Sequence, residues 1–266
     1  MTKKLTPETQ YQNNPFFVAS SGITLLFNLA RNLAILFIIL SVLSLFSNNF
    51  SQDENANQWN DTVRLFSNWT VGDWTLAVGS FFIIGLAIML ISALFGGVSS
   101  YTSYQLSRGK EVTISEAFRN SFEHLWSYLW LQIIVGVKIF LWALLFIIPG
   151  IIMAVRYSLA GVAFYDDKKK LRGNAAVKES LRLTRGAWLT TYASSLLFNI
   201  LTLGAISSLV STGVNAVLYK QFDHLDDKKP AAHWLSWVTL FIPFVLIGLA
   251  LMILMAIIVG IALAGY

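Results

Sequence analysis

Two cations, Lys138 and Arg156, lie inside stretches of sequence that are otherwise apolar. Lys138 is near the middle of the run 125–148, and Arg156 is in the run 150–165. Neither run contains Asp or Glu, so each cation must be solvated by backbone carbonyls, polar side chains, water or an anionic ligand. One interpretation is a pocket of Lys138, Arg156 and Gln132 for a phosphate-bearing head group or another amphiphilic anion. The alternative is that Lys138 is neutral or reaches toward the surface, while Arg156 caps a break in the backbone.

A second group of cations lies in the segment 168–185, which is dense enough in charge to attract an anionic surface. Each such charge contributes about 1 kcal/mol next to anionic lipid. The simpler interpretation is that these residues only fix the orientation of the chain, and we expect both roles. The seven cations are Lys168, Lys169, Lys170, Arg172, Lys178, Arg182 and Arg185.

Catalytic and metal-binding patterns are missing from the sequence. It has no nucleophile elbow, no phosphate-cradling glycine loop and no His-Glu pair at helical spacing. The spacing of His224 and His233 with the aspartates around them matches no metal signature. The absence of cysteine excludes disulfides and Cys-ligated metals. We therefore predict a protein that is not an enzyme and that needs no cofactor or metal.

Long runs without charge must position these residues. Hydrophobic residues make up 56% of the 266 and charged residues 12%, about half of the charged share in soluble proteins. A helix of roughly 20 apolar residues crosses a hydrocarbon core of about 30 Å. The sequence thus predicts an all-α integral membrane protein that forms one polytopic domain, 1–266. We expect about six transmembrane segments, at 24–46, 75–102, 125–148, 150–165, 188–218 and 236–264.

Two of these segments have unusual lengths. The segment 150–165 is short, and the helix-breaking Pro149-Gly150 pair before it predicts a helical hairpin with the preceding segment. The segment 188–218 is too long for a single perpendicular span. We therefore expect it to tilt, or to kink near Gly204 or Gly213.

The distribution of Lys and Arg predicts the orientation in the membrane. With the N-terminus inside, 13 of these residues fall on the cytoplasmic side, together with two interfacial amphipathic helices within 114–129 and 177–188. Only Arg64, Lys220, Lys228 and Lys229 fall outside. We therefore expect a plasma-membrane protein, the inner membrane in a bacterium, with both termini in the cytoplasm.

Three motifs follow one another between about 105 and 200. A basic loop leads into an Ala-Phe-Arg helix at Ala117, and an Ile-Pro-Gly-Ile-Ile run at 148–152 precedes Arg156 and Asp166. A Thr-Arg-Gly-x-Trp run at 184–188 ends the series. In this order the motifs resemble bacterial multi-pass membrane proteins related to the membrane domain fused to some glycerophosphodiester phosphodiesterases. The resemblance implies the membrane fold. It does not imply hydrolase activity, because the sequence has no phosphodiesterase catalytic domain.

The combined expectation is a protein that binds or organises anionic membrane lipid, or supports envelope maintenance. The net charge of +5 is distributed as a membrane orientation signal, so we expect no nucleic-acid partner. Transport of a small anion or amphiphile is the first alternative. The second is a structural subunit, in which small-residue stripes contact another copy of the chain or another membrane protein.

Overall fold

The computed structural model describes residues 11–49, 69–202, 206–225, 229 and 231–264. Within these ranges the chain forms α-helices joined by turns and loops, with no strand. Arg64, Gly204 and Lys228, which the orientation and kink predictions invoke, lie outside them. The helices are α1 Pro15–Leu29, α2 Arg31–Asn49, α3 Val71–Ser107, α4 Ile114–Glu123, α5 Leu125–Leu145, α6 Ile147–Tyr157, α7 Ala160–Phe164, α8 Asn174–Leu183, α9 Trp188–Leu201, α10 Ser207–Asp223 and α11 Trp234–Ala264.

Local sequence explains where several helices begin. The Asn14 side chain accepts a hydrogen bond from the Phe16 N–H, and Pro15 occupies the first helical position, where its missing N–H costs nothing. Before α3, Thr70 and Asp73 form a reciprocal capping box, in which the Thr70 N–H lies 2.8 Å from the Asp73 carboxylate. These caps satisfy N–H groups that have no partner inside the helix.

Among the described residues, four helical stretches are long and apolar enough to cross a membrane, which confirms the all-α membrane class. They are α3, α5, the pair α6–α7 and α11. A fifth crossing is possible if α1 and the start of α2 count as one broken span. The prediction of about six spans is therefore not reproduced. The segments 75–102, 125–148 and 236–264 coincide with α3, α5 and α11.

The predicted continuous segment 24–46 is wrong, because the chain bends by 116° between α1 and α2. Ala30 is at the bend with non-helical torsion angles, although neither glycine nor proline is present there. A tertiary contact explains the break: the Val112 N–H donates to the Leu29 carbonyl at 3.0 Å, which satisfies a helix-end acceptor.

The sequence predicted a chain reversal at Pro149-Gly150, but the reversal before α6 occurs at Phe146. Phe146 is extended (φ −158°, ψ 143°) and separates α5 from α6. Pro149 lies in the first turn of α6, where a missing N–H is tolerated. Gly150 instead allows close packing, because a Cβ there would lie 2.8 Å from the Cα of Ala143.

The predicted span 188–218 is also wrong. It consists of two helices, α9 and α10, and a 14-residue helix such as α9 rises only about 21 Å. Much of α10 is buried in the protein, including Leu209, Val214 and Leu218, so its apolar character comes from the core and not from lipid. The Lys169 ammonium lies 2.6 Å from the Asp223 carboxylate. The segment after α10 therefore lies on the same face of the protein as the segment before α8, and Lys220 cannot be on the opposite side.

Close helix crossings hold the centre of the protein together. Gly22 in α1 and Gly213 in α10 meet backbone to backbone, and a Cβ on Gly22 would lie 2.5 Å from the carbonyl carbon of Gly213. Gly213 thus serves a crossing and not a kink. Nearby, the hydroxyls of Ser99 and Thr212 are 2.6 Å apart, which joins α3 to α10. In contrast, the apolar side chains of α11 from Phe244 to Val259 are exposed, as expected for a surface that faces acyl chains.

Helices occur at both positions predicted for amphipathic helices. The apolar side of α8 packs on the protein, with Ala176, Val177 and Leu183 buried. In α4 the buried residues are Ala117 and Ser121, while the apolar side chain of Phe122 is 69% exposed. Both helices therefore bury their inner sides in tertiary contacts.

Candidate functional site

Asp166 is the centre of a polar network at one end of the helix bundle. Its side chain is fully buried just after α7. It accepts hydrogen bonds from the Tyr219 hydroxyl at 2.7 Å and from the Lys168 and Lys169 N–H groups at 2.9 and 3.3 Å. The Tyr104 hydroxyl is a further donor at 3.3 Å. Burial opposes ionisation, but these hydrogen bonds outweigh it and hold the pKa of Asp166 below its ordinary value.

Ion pairs extend this network over the surface. The Lys169 ammonium lies 2.6 Å from both Glu179 and Asp223, and 4.0 Å from Asp166. Arg182 donates twice to the Glu179 carboxylate, at 2.8 and 2.9 Å. The hydrogen bonds from Arg182, followed by those from Lys169, lower the pKa of Glu179 to about 2 despite its partial burial.

The network joins four parts of the chain. We call it the ionic cluster: Arg108, Asp166, Lys169, Glu179, Arg182 and Asp223. It ties the end of α3 to the loop 165–173, to α8 and to the end of α10. Three cations face three carboxylates, so the ionic cluster has no net charge, and its ion pairs connect these elements.

Three of the seven predicted surface cations have partners within the protein. Lys169 and Arg182 belong to the ionic cluster. The Arg172 guanidinium donates to the Phe164 carbonyl at 2.7 Å and lies 4.4 Å from the centroid of the Phe164 ring. These contacts leave fewer cations without a partner than the sequence indicated.

The remaining four cations form what we call the free basic set. Each has an exposed side chain without a side-chain partner within the described part of the chain, and the exposed carboxylate of Asp167 lies in the same loop. Within the segment 166–185, positive charge therefore exceeds negative charge, with seven cations and three carboxylates. The free basic set consists of Lys168, Lys170, Lys178 and Arg185.

The structure gives the residues of the predicted intramembrane site separate partners. The Lys138 ammonium donates to the Asn174 side-chain oxygen at 2.7 Å, at the start of α8. The Arg156 guanidinium donates to the Leu181 carbonyl at 3.4 Å. Gln132 lines a cavity that includes neither cation in its wall. Whether Lys138, Arg156 and Gln132 bind an anionic head group stays a prediction.

Sequence reasoning missed the ionic cluster. The signal was available in part, because Asp166 directly follows an apolar run and basic residues surround it. The partners Tyr219 and Asp223 could not be inferred, since the sequence interpretation placed the end of α10 across the membrane. Within the described residues, no group of three or more His, Asp or Glu side chains is arranged to hold a metal ion.

Comparison with protein-family models, curated proteins and solved structures finds no match for this chain. The resemblance to the membrane domain of glycerophosphodiester phosphodiesterases therefore stays a prediction. The helices themselves define the class of the protein: it is helical and has several candidate membrane spans.

Proposed function

We propose that this chain is a multi-pass plasma-membrane protein, without enzymatic activity, that binds anionic lipid head groups at its cytoplasmic face. The single observation that carries the proposal is the free basic set. The ionic cluster engages Asp166, Glu179 and Asp223, so these carboxylates do not neutralise the four exposed cations. Four such cations contribute about 3–4 kcal/mol next to an anionic surface, which corresponds to a preference of about 100-fold or more.

The topology that accompanies this proposal differs from the sequence expectation. We propose that α2 crosses the membrane and α3 returns. In the same way, α6–α7 returns to the side where α5 begins, and α10 returns to the side where α9 begins. The contact between the rings of Tyr128 and Phe164, 5.6 Å apart, supports the return of α5 with α6–α7. Only α11 then remains as an unpaired crossing. With the N-terminus in the cytoplasm, the C-terminal end of α11 lies on the other side.

Lipid retention tests the function. The protein is purified from bilayers with equal amounts of phosphatidylglycerol and phosphatidylcholine, and retained lipid is quantified by mass spectrometry. We expect wild type to retain phosphatidylglycerol in several-fold excess, and this excess to fall in high salt. Replacing all four residues of the free basic set by Gln should remove the excess. A variant that exchanges Lys for Arg and Arg for Lys at these positions keeps the charge and should behave as wild type.

Two results contradict the proposal. One is an unchanged excess of phosphatidylglycerol in the Gln variant. The other is loss of that excess in Arg156→Ala alone, which would locate lipid binding in the intramembrane pocket and not on the surface.

Transport is the second candidate, favoured by the broken helices near the centre of the protein. The 116° bend between α1 and α2 resembles the discontinuous helices with which transporters form binding sites. Anion flux into protein-containing vesicles that is absent in Lys138→Ala would support it. Stable isolation with another membrane protein, without flux or lipid preference, would instead favour a structural subunit.

A further inference from the structure

A cavity of about 150 Å³ lies between α3, α5, α6 and α7. This volume is enough for about five water molecules or for one small organic group, since a water occupies about 30 Å³ in the liquid. The wall contains Ser100 from α3, Tyr128 and Gln132 from α5, and Ser158 and Gly161 around the start of α7. The exposed side chains of Gln132 and Ser158 mark its open side. The cavity is separate from the ionic cluster and from the free basic set.

Hydrogen bonds inside the wall fix the orientation of its polar groups. The Tyr128 hydroxyl lies 2.9 Å from the Ser100 hydroxyl and accepts from the Gln132 amide at 2.8 Å. Within the described residues, the Gln132 carbonyl oxygen and the hydroxyls of Tyr157 and Ser158 have no partner. A ligand here meets a carbonyl acceptor and two hydroxyl groups that donate or accept.

The wall selects for an uncharged ligand. None of its residues is charged, and the neighbouring cations Lys138 and Arg156 are held by Asn174 and by the Leu181 carbonyl. Enclosing a charged group without a counter-charge is costly in a membrane-embedded site. The complementary group is therefore neutral and both donates and accepts hydrogen bonds.

Gly161 lies in close contact with two polar groups of the cavity wall. A Cβ at this position would clash with the Ser100 hydroxyl and would lie 2.9 Å from the Tyr128 hydroxyl. Alanine at 161 would thus displace two polar groups of the wall. Gly136, on the same helix as Gln132, offers a matched control, because a Cβ added there would meet nothing within 4 Å.

We propose that this cavity binds an uncharged, hydroxyl-bearing group of about the size of glycerol. Two sources share this chemistry: a soluble polyol, and the glycerol moiety of a neutral membrane lipid. Hydroxyls of the group donate to Gln132 and exchange hydrogen bonds with Ser158. This inference does not depend on binding of anionic lipid by the free basic set.

Two binding measurements test the proposal with protein in phosphatidylcholine nanodiscs. Radiolabelled glycerol probes the soluble source, and radiolabelled dioctanoylglycerol probes the lipid source. We expect at least one probe to bind wild type saturably, and which one binds identifies the source. Gly161→Ala should weaken that binding at least tenfold, and Gly136→Ala should leave it unchanged. Ser158→Ala, at an exposed position where folding is not at risk, should weaken it about threefold to tenfold.

Either of two outcomes overturns the proposal. The first is that neither probe binds wild type saturably. The second is that Ser158→Ala and a folded Gly161→Ala both bind as wild type does. If Gly161→Ala fails to fold, as judged by circular dichroism, Ser158→Ala alone decides between support and rejection.

Discussion

Replacing Asp166 by alanine should destabilise the protein by about 3–5 kcal/mol, because several donors lose the buried acceptor that they share, at about 1–3 kcal/mol each. The side chain has no exposed surface and accepts from the Tyr219 hydroxyl and two backbone N–H groups. Its removal leaves the Tyr219 hydroxyl buried without its acceptor. That loss alone costs about 1–3 kcal/mol. Lys169 and Arg108 lose one carboxylate partner each.

The assay is unfolding in mixed micelles by titration with sodium dodecyl sulfate, followed by tryptophan fluorescence and circular dichroism. The neighbouring exposed residue provides the control, because Asp167→Ala removes a carboxylate without a side-chain partner in the described structure and should cost less than about 0.5 kcal/mol. If Asp166→Ala were no more than about 1 kcal/mol less stable than Asp167→Ala, Asp166 would not be the centre of the network.

Two further predictions concern packing and pH. Gly22→Val should prevent native packing of α1 on α10, because a Cβ at position 22 would lie 2.5 Å from backbone. Gly79→Val should be tolerated, because a Cβ at position 79 would meet no atom within 4 Å. Unfolding in detergent distinguishes the two variants. The folded pKa of Glu179, about 2, is below its ordinary 4.5, so its pairing with Arg182 stabilises the protein above pH 4.5. This contribution, about 2–3 kcal/mol with allowance for solvent screening, should disappear as the pH falls from 4.5 to 2. In Glu179→Gln, the stability should no longer change with pH in this range. If its profile of stability against pH were the same as that of wild type, the prediction would be contradicted.

Hydropathy predicted the helices that face lipid and misassigned those that face protein. The apolar runs in α3, α5 and α11 are exposed, and each was located within a few residues. The runs at 24–46 and 188–218 look the same in sequence, yet parts of them are buried in the protein core. Apolar side chains are stabilised in both environments, so composition alone cannot distinguish them. Helix breaks made by tertiary contacts, as at Ala30, leave no sequence signal.

The candidate site was predicted only as a concentration of positive charge. The sequence indicated where the cations lie: six of the seven are exposed as expected, and four of these six have no side-chain partner within the described residues. Which of them are neutralised depends on Glu179 and Asp223, which come from different helices and reach Lys169 only in the folded chain. The cavity was likewise invisible, since Gly161 and Ser100 are 61 positions apart and meet through helix packing.

Labelling of single cysteines tests most directly whether α9–α10 returns to the face that carries the free basic set. The chain has no cysteine, so Lys178→Cys, His224→Cys and Val71→Cys each introduce one thiol at an exposed position. A membrane-impermeant maleimide should label Lys178→Cys and His224→Cys only in inside-out vesicles, and Val71→Cys in intact cells. Labelling of His224→Cys from the side opposite to Lys178→Cys would contradict the account.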